Sequence, residues 1–134
     1  MTTITRPCTA SLARTGTVVS ALTGAFLLFD AVTHISRIQP VLDSFAALGF
    51  PASVAIPIGL LELACLVLYA IPRTSVLGAV LLTGYLGGAV CAQVRIEAPL
   101  LSTAMFPVYV GVAVWLGLYL RNAGLRALLT GRRA

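Results

Sequence analysis

Four long apolar segments dominate the sequence and are separated by short stretches that carry the charged and turn-forming residues. The segments cover residues 16–35, 54–71, 76–94 and 100–120. Each has about the 20 residues that an α-helix needs to cross the hydrocarbon core of a bilayer. Backbone groups in lipid must form hydrogen bonds within the protein, which favours helices over open strands. We therefore predict an all-α fold, an integral membrane four-helix bundle.

The connecting segments add detail to this prediction. Residues 36–53 contain the helix breakers Pro40, Gly49 and Pro51. Within that segment, VLDSFAALGF has amphipathic spacing and predicts a short interfacial helix between spans one and two. The sequence PRTS at residues 72–75 predicts a tight turn, which makes spans two and three an antiparallel hairpin. Pro107 lies inside span four and predicts a kink there.

The composition agrees with lipid as the surrounding solvent. Hydrophobic residues make up 59% of the chain and charged residues 10%, whereas a soluble domain has about 25% charged residues. We expect one transmembrane domain over residues 1–134, with the lipid bilayer as its main partner. The first apolar run is too long for a signal-peptide core and contains Asp30 and His34, so we expect it to be a retained helix.

The arginines predict the orientation of the bundle. The chain has nine basic residues and all of them are arginine. Seven fall on the side of the N-terminus, the 72–75 turn and the basic tail 121–134, and two fall on the opposite side. Cytoplasmic loops carry the excess of positive charge, so we predict that both ends are cytoplasmic (N-in/C-in). The arginines form no stripe with aromatic residues, so no nucleic-acid partner is expected. The seven are Arg6, Arg14, Arg73, Arg121, Arg126, Arg132 and Arg133; the two are Arg37 and Arg95.

Common catalytic and metal-binding motifs are absent from the sequence. The three cysteines, Cys8, Cys65 and Cys91, form no CxxC motif and no metal spacing with the single histidine. There is no Gly-rich phosphate loop and no HExxH. The sequence therefore predicts no metal site, and no cofactor is visible in it.

Two acidic residues inside the apolar runs are the strongest functional signal. Asp30 and Glu62 each cost about 2.5–3.5 kcal/mol near the middle of a bilayer. At a rise of about 1.5 Å per residue, Asp30 lies about 21 Å above the cytoplasmic face and Glu62 about 12 Å below the outer face of a ~30 Å core. The two acids therefore share one layer in the outer half, and Tyr85 falls about 15 Å above the cytoplasmic face.

Helical spacing adds further polar residues to this layer. His34 follows Asp30 by four residues and so lies on the same helix face. Gly84 and Gly88 form a GxxxG pattern, which predicts close helix contact. Two interpretations remain: polar pairs that lock the helices together, or an outward-opening pocket for a quinone, a thiol or sulfur species, or a proton path. The candidate pocket residues are Asp30, His34, Arg37, Glu62, Tyr85, Gln93 and Arg95.

Several stretches resemble one known family over nearly the whole chain. They are the Asp30-x-x-x-His34 pattern, LGFP at 48–51, GLLELACLVLYAIPRTSVLGAVLLTGYLGGAVCAQVRIEAPLLS at 59–102, and FPVYVGVAVWLGLYLR at 106–121. The chain resembles the DoxX-like family of small four-helix bacterial membrane proteins. Asp30, His34, Glu62 and Arg95 match the family pattern. Members usually carry His at the position of Gln93 and often at that of Thr103, and this chain has neither.

The resemblance implies a function by analogy with relatives. The family name comes from subunits of an archaeal thiosulfate:quinone oxidoreductase, and some actinobacterial relatives are linked with a membrane oxidoreductase complex. We thus expect a redox-associated membrane subunit in the bacterial inner (plasma) membrane, with a quinone as ligand and redox proteins as partners. The alternatives are a non-catalytic scaffold or small-molecule-binding protein, or a small transporter that acts as a homo-oligomer.

Overall fold

The computed structural model describes residues 7–131 and the side chains of residues 10–131. Arg6, Arg132 and Arg133, which entered the arginine count, and the side chain of Cys8 lie outside the described residues. Within residues 7–131 the chain forms six α-helices. They are α1 (Pro7–Ser36), α2 (Gln39–Ala47), α3 (Ala55–Ala70), α4 (Ser75–Arg95), α5 (Phe106–Arg121) and α6 (Ala123–Leu129).

The predicted all-α membrane fold is confirmed. Four helical segments in the described chain are long and apolar enough to cross a bilayer. The helix predicted between spans one and two is also present, as α2, with a proline in its first turn, where the missing N–H does no harm. The four spanning segments are Ala10–Ser36, Ala52–Ala70, Ser75–Arg95 and Leu100–Arg121.

The first helix is longer than its apolar run. It begins at Pro7, well before residue 16, where the predicted span starts. Its 30 residues give a length of about 45 Å, which exceeds the ~30 Å hydrocarbon core. Hydropathy detects only the lipid-crossing part of a helix, so the predicted span does not include the more polar first turns of α1.

The fourth span consists of two pieces. Residues Leu100–Ala104 form a π-helical turn, and α5 then begins at Phe106. The N–H of Met105 donates to the carbonyl of Leu100 at 2.9 Å, five residues back. The predicted kink inside the span is therefore a break just before Pro107, which lies in the first turn of α5. A proline is tolerated there because its absent N–H would have no intrahelical partner.

The four long helices form a ring. α1 packs against α3 and α5, and α4 packs against the same two helices from the other side. Large apolar side chains cover the outer faces; Leu22, Phe29 and Leu101 are between 68% and 76% exposed. Such a surface would promote aggregation in water, but it is the surface that lipid contacts in a multi-pass membrane protein.

One end of the bundle is tightly closed through glycines. A Cβ added to Gly117 would lie 2.5 Å from Ser20 Oγ, and one added to Gly78 would collide with the backbone of Tyr69. Gly16 meets the backbone of residues 120–121 in the same way. Small residues let membrane helices approach to van der Waals distance, which is a main source of their packing energy.

Tyr69 joins three helices at this closed end. It is 2% exposed, and its hydroxyl donates to the carbonyl of Val114 at 2.9 Å and lies 3.0 Å from Ser20 Oγ. Arg121 donates to the carbonyl of Tyr69 at 2.9 Å and stacks over its ring at 4.8 Å. These contacts link α1, α3 and α5 through one side chain.

The opposite end is open. Gly84, Gly87 and Gly88 would each carry a Cβ with no other atom within 4 Å. The GxxxG prediction of close helix contact at Gly84 and Gly88 is therefore wrong for the described chain. The buried stripe of α4 runs instead through Gly78, Ala79, Leu82 and Leu86, and this stripe carries the contacts to α3 and α5.

We predict that Gly78→Ala destabilises the protein and that Gly84→Ala does not. The new methyl group at 78 meets backbone, which cannot move aside, so we expect a loss of about 1–3 kcal/mol. At 84 there is room, and alanine favours the helix by up to about 1 kcal/mol. The measurement is the thermal unfolding midpoint of both variants in the same detergent. Equal midpoints for the two variants would contradict the close contact at Gly78.

Candidate functional site

A cavity of about 750 Å³ lies among the helices at the open end of the bundle. All five helices from α1 to α5 contribute side chains to its wall. This volume falls in the range of sites for small organic ligands, about 300–1,000 Å³. Most of the wall is apolar, and its polar side chains are Asp30, His34, Ser44, Glu62, Tyr85 and Gln93.

Glu62 is the most deeply buried polar side chain of the cavity. Its exposed fraction is 0%. The hydroxyl of Tyr85 donates to Glu62 Oε2 at 3.0 Å and so links α4 to α3. Glu62 Oε1 is also buried, and no hydrogen-bond partner reaches it within the described part of the chain. One carboxylate oxygen is thus satisfied while the other is not, although buried polar atoms are nearly always paired.

The position of Glu62 depends on a close contact of α1 with α3. A Cβ added to Gly59 would lie 2.8 Å from the Cβ of His34 and 2.9 Å from the carbonyl oxygen of Ala31. Glu62 follows Gly59 by three residues and lies on the same face of α3. The absence of a side chain at Gly59 therefore brings Glu62 opposite His34.

His34 connects the two acids. Its Nδ1 lies 3.6 Å from Asp30 Oδ2 and 4.0 Å from Glu62 Oε2. The same nitrogen lies 2.8 Å from the backbone carbonyl oxygen of Asp30. A carbonyl oxygen can only accept, so Nδ1 carries the hydrogen when this bond forms. The ring also packs edge-on against Phe45 of α2, with 5.5 Å between centroids.

The seven residues predicted to form the pocket divide into two groups. Asp30, His34, Glu62 and Tyr85 lie in contact, and Gln93 lines the same cavity without a hydrogen bond to them. Arg37 and Arg95 are not part of the cavity wall. Arg37 lies exposed just after α1, with a backbone φ of 51°.

Arg95 does not pair with Asp30 or Glu62. It binds the connection between α2 and α3, which covers one side of the cavity. Its guanidinium donates to the carbonyl of Leu48 and lies 5.6 Å from the ring centroid of Phe50. Gly49 has a φ of 72°, a conformation in which a side chain would be strained. The end of α4 thereby holds the α2–α3 connection across the cavity, because Phe45, Leu48 and Phe50 all line it.

The sequence did not predict that α2 and the α2–α3 connection cover the cavity. Ser44 and Phe45 of α2 line the cavity, but neither was a candidate residue. The amphipathic spacing of residues 41–50 was the available signal: Val41, Phe45 and Leu48 follow the i, i+4, i+7 pattern of one helix face. The pattern predicts a helix with one apolar face, and in the structure that face covers the cavity.

We predict that Tyr85→Phe lowers stability more than Tyr109→Phe. Removal of the Tyr85 hydroxyl leaves both oxygens of the buried Glu62 without a donor, which costs about 1–3 kcal/mol. Tyr109 is 52% exposed and donates to the carbonyl of Leu101, which is itself 76% exposed, so its loss leaves no buried carboxylate without a donor and costs less. Unfolding midpoints in one detergent measure both effects, and a Tyr85→Phe midpoint at or above that of Tyr109→Phe would contradict the prediction.

A comparison with known protein families identifies the fold. The model described as the DoxX-like family matches residues 18–117, which include all the polar residues of the cavity. No curated protein and no solved structure matches the chain significantly. The match covers well over half of the sequence and agrees with the four spanning helices. The chain belongs to the DoxX-like family.

Proposed function

We propose that this protein is a quinone-binding membrane subunit of a redox system in the bacterial inner membrane. The observation that carries the proposal is the cavity: a long apolar wall with a compact polar cluster of Asp30, His34, Glu62 and Tyr85. A quinone has the matching shape, since it joins a polar ring to an apolar chain. A small thiol or sulfur species would leave most of a cavity of about 750 Å³ unfilled.

The dimensions and chemistry of the cavity support a ring with part of a tail. Along α4 the wall extends from Val80 to Gln93, a helix length of about 20 Å. The Gln93 amide N–H₂ is a donor suited to a quinone carbonyl oxygen, whereas the Tyr85 hydroxyl already donates to Glu62 Oε2. Asp30 and Glu62 are carboxyl groups that can hold the protons which a quinone takes up on reduction. Acidic residues inside membrane segments commonly serve such proton transfers.

The proposed reaction also needs a source of electrons. Reduction of a quinone to a quinol consumes two electrons and two protons, and the carboxyl groups of the polar cluster account only for the protons. The proposal therefore includes a redox partner protein that supplies or accepts the electrons. The membrane subunit would contribute the binding cavity and the proton-exchanging carboxyl groups.

The distribution of arginines supports the proposed orientation. Arg14, Arg73 and Arg121 lie at the closed end of the bundle, whereas Arg37 and Arg95 lie at the end that holds the cavity. The positive-inside rule assigns the more basic end to the cytoplasm. With both ends of the chain cytoplasmic, the polar cluster would lie in the outer half of the bilayer.

We predict the accessibility that this orientation requires. In a variant whose three cysteines are replaced by serine, a single cysteine is introduced by Arg73→Cys or by Ala98→Cys. A membrane-impermeant maleimide added to spheroplasts with an intact inner membrane should label residue 98, and it should label residue 73 only after lysis. The opposite labelling pattern would overturn the orientation without affecting the fold.

We predict that quinone analogues bind the purified protein and that the acids of the cluster are needed. Asp30 and Glu62 donate to the quinone carbonyl oxygens in their protonated form, and removal of such a hydrogen bond costs about 0.5–1.5 kcal/mol, so Glu62→Ala and Asp30→Ala should each weaken binding by up to about tenfold. Calorimetric titration in detergent with short-chain ubiquinone and menaquinone analogues provides the measurement. No binding, or unchanged binding in both variants, would refute the proposal.

A second pair of variants tests the location. Gly84 lines the proposed quinone cavity, whereas Gly87 lines a different, apolar groove between α4 and α5. Neither glycine has another atom within 4 Å of an added Cβ, so both should tolerate leucine. Gly84→Leu should abolish quinone binding and Gly87→Leu should not. Loss in both, or in neither, would place the quinone elsewhere.

A further inference from the structure

We propose that Asp30, His34 and Glu62 form a binding site for a divalent first-row transition metal ion. Each residue offers one ligand atom, and these atoms lie within 4.8 Å of one another. Two come from α1 and one from α3, so the site exists only when the two helices are packed. This explains why no sequence motif indicated it.

The distances suit a single ion. A bond from such a metal to nitrogen or oxygen is about 2.1 Å long, so two ligand atoms of one ion lie at most about 4.2 Å apart. His34 Nδ1 lies 3.6 Å from Asp30 Oδ2 and 4.0 Å from Glu62 Oε2. Both separations are within that limit. The carboxylate oxygens of Asp30 and Glu62, which lie within 4.8 Å of each other, would reach it through side-chain rotation. The imidazole must give up its hydrogen bond to the carbonyl of Asp30, and its proton is released when the metal binds.

Glu62 gives independent support for a ligand at this point. The side chain is 0% exposed, yet its Oε1 has no hydrogen-bond partner in the described chain. Buried carboxylates are normally paired with a cation or coordinate a metal. Within residues 10–131 no arginine lies within ion-pair distance of Glu62, and Arg95 is bound to Leu48 and Phe50. A metal ion bound at Glu62 would neutralise the carboxylate, and coordination through both carboxylate oxygens would also satisfy Oε1.

The surroundings fit a metal site with open positions. Tyr85 donates to Glu62 Oε2 at 3.0 Å and so orients the carboxylate, as partners of metal ligands commonly do. The cavity beside the cluster leaves space for water or an organic ligand on the ion, the arrangement of three protein ligands found in catalytic sites. One imidazole and two carboxylates suit Zn²⁺, Mn²⁺ or Fe²⁺ and disfavour Cu⁺, which prefers sulfur.

The metal inference concerns the same cluster as the quinone proposal but does not depend on it. Its basis is the ligand set and the unpartnered oxygen of Glu62, and both would remain if no quinone binds. A protein that binds metal and no quinone would refute only the proposed function. A protein that binds quinone and no metal would refute only this inference.

The test is metal titration of the full-length protein in detergent. After removal of metals with a chelator, Co²⁺ and Zn²⁺ are added in turn, and bound metal is counted by mass spectrometry after gel filtration. We expect about one ion per chain, and for Co²⁺ visible absorption bands of a nitrogen- and oxygen-coordinated ion. Glu62→Gln and His34→Gln should each remove the ion, while Tyr85→Phe should weaken binding about tenfold.

The control is Asp43→Asn, which changes an exposed carboxylate of α2 that accepts a hydrogen bond from Gln39. It should bind metal like the unchanged protein. Gel-filtration profiles and unfolding midpoints verify that each variant is folded, and the two ligand variants act on different helices, so a folding failure in one leaves the other informative. No bound metal in the unchanged protein, or equal metal content in Asp43→Asn and the folded ligand variants, would overturn the inference.

Discussion

The close contact of α1 with α3 at Gly59 determines the polar centre of this bundle. A side chain at Gly59 would collide with His34 Cβ at 2.8 Å, so the contact requires glycine. It brings Glu62, one turn further along α3, to 4.0 Å from His34. Two isolated acids inside a membrane would each cost about 2.5–3.5 kcal/mol. The contact brings them into one cluster. There, hydrogen bonds and nearby positive charge from Tyr85, His34 or a bound cation lower the free-energy cost of burying the two acids.

The two ends of the bundle have different roles: one end packs the helices tightly, and the other holds the cavity. At the closed end, the backbones meet at Gly16, Gly78 and Gly117, and Tyr69 ties three helices together. At the open end, Gly84 and Gly88 face the cavity instead of another helix. Dense packing at the closed end stabilises the bundle, so the open end can contain a cavity. Ligand sites are generally found in such regions of weaker local packing. Glycines at the closed end allow helices to touch, whereas glycines at the open end leave space in the cavity.

Sequence reasoning predicted the helices and the shared layer of Asp30 and Glu62 because both follow from the regular rise of a helix. It could not predict where Arg95 points, since that depends on the α2–α3 connection and on the turn that the positive φ of Gly49 allows. It also could not tell a glycine that packs from one that lines a cavity. Gly78 and Gly84 lie on the same helix, and only the neighbouring helices distinguish them.

The position of Arg95 has a consequence for the chemistry of the cluster. If Arg95 paired with Glu62, a fixed cation would already neutralise the acids. Because its guanidinium instead holds Leu48 and Phe50, neutralisation has to come from exchangeable cations, either protons or a metal ion. His34 is the single histidine of the chain, and Gln93 lines the cavity without a hydrogen bond to the cluster. The cluster is therefore limited to three ligands and keeps its remaining side open to the cavity.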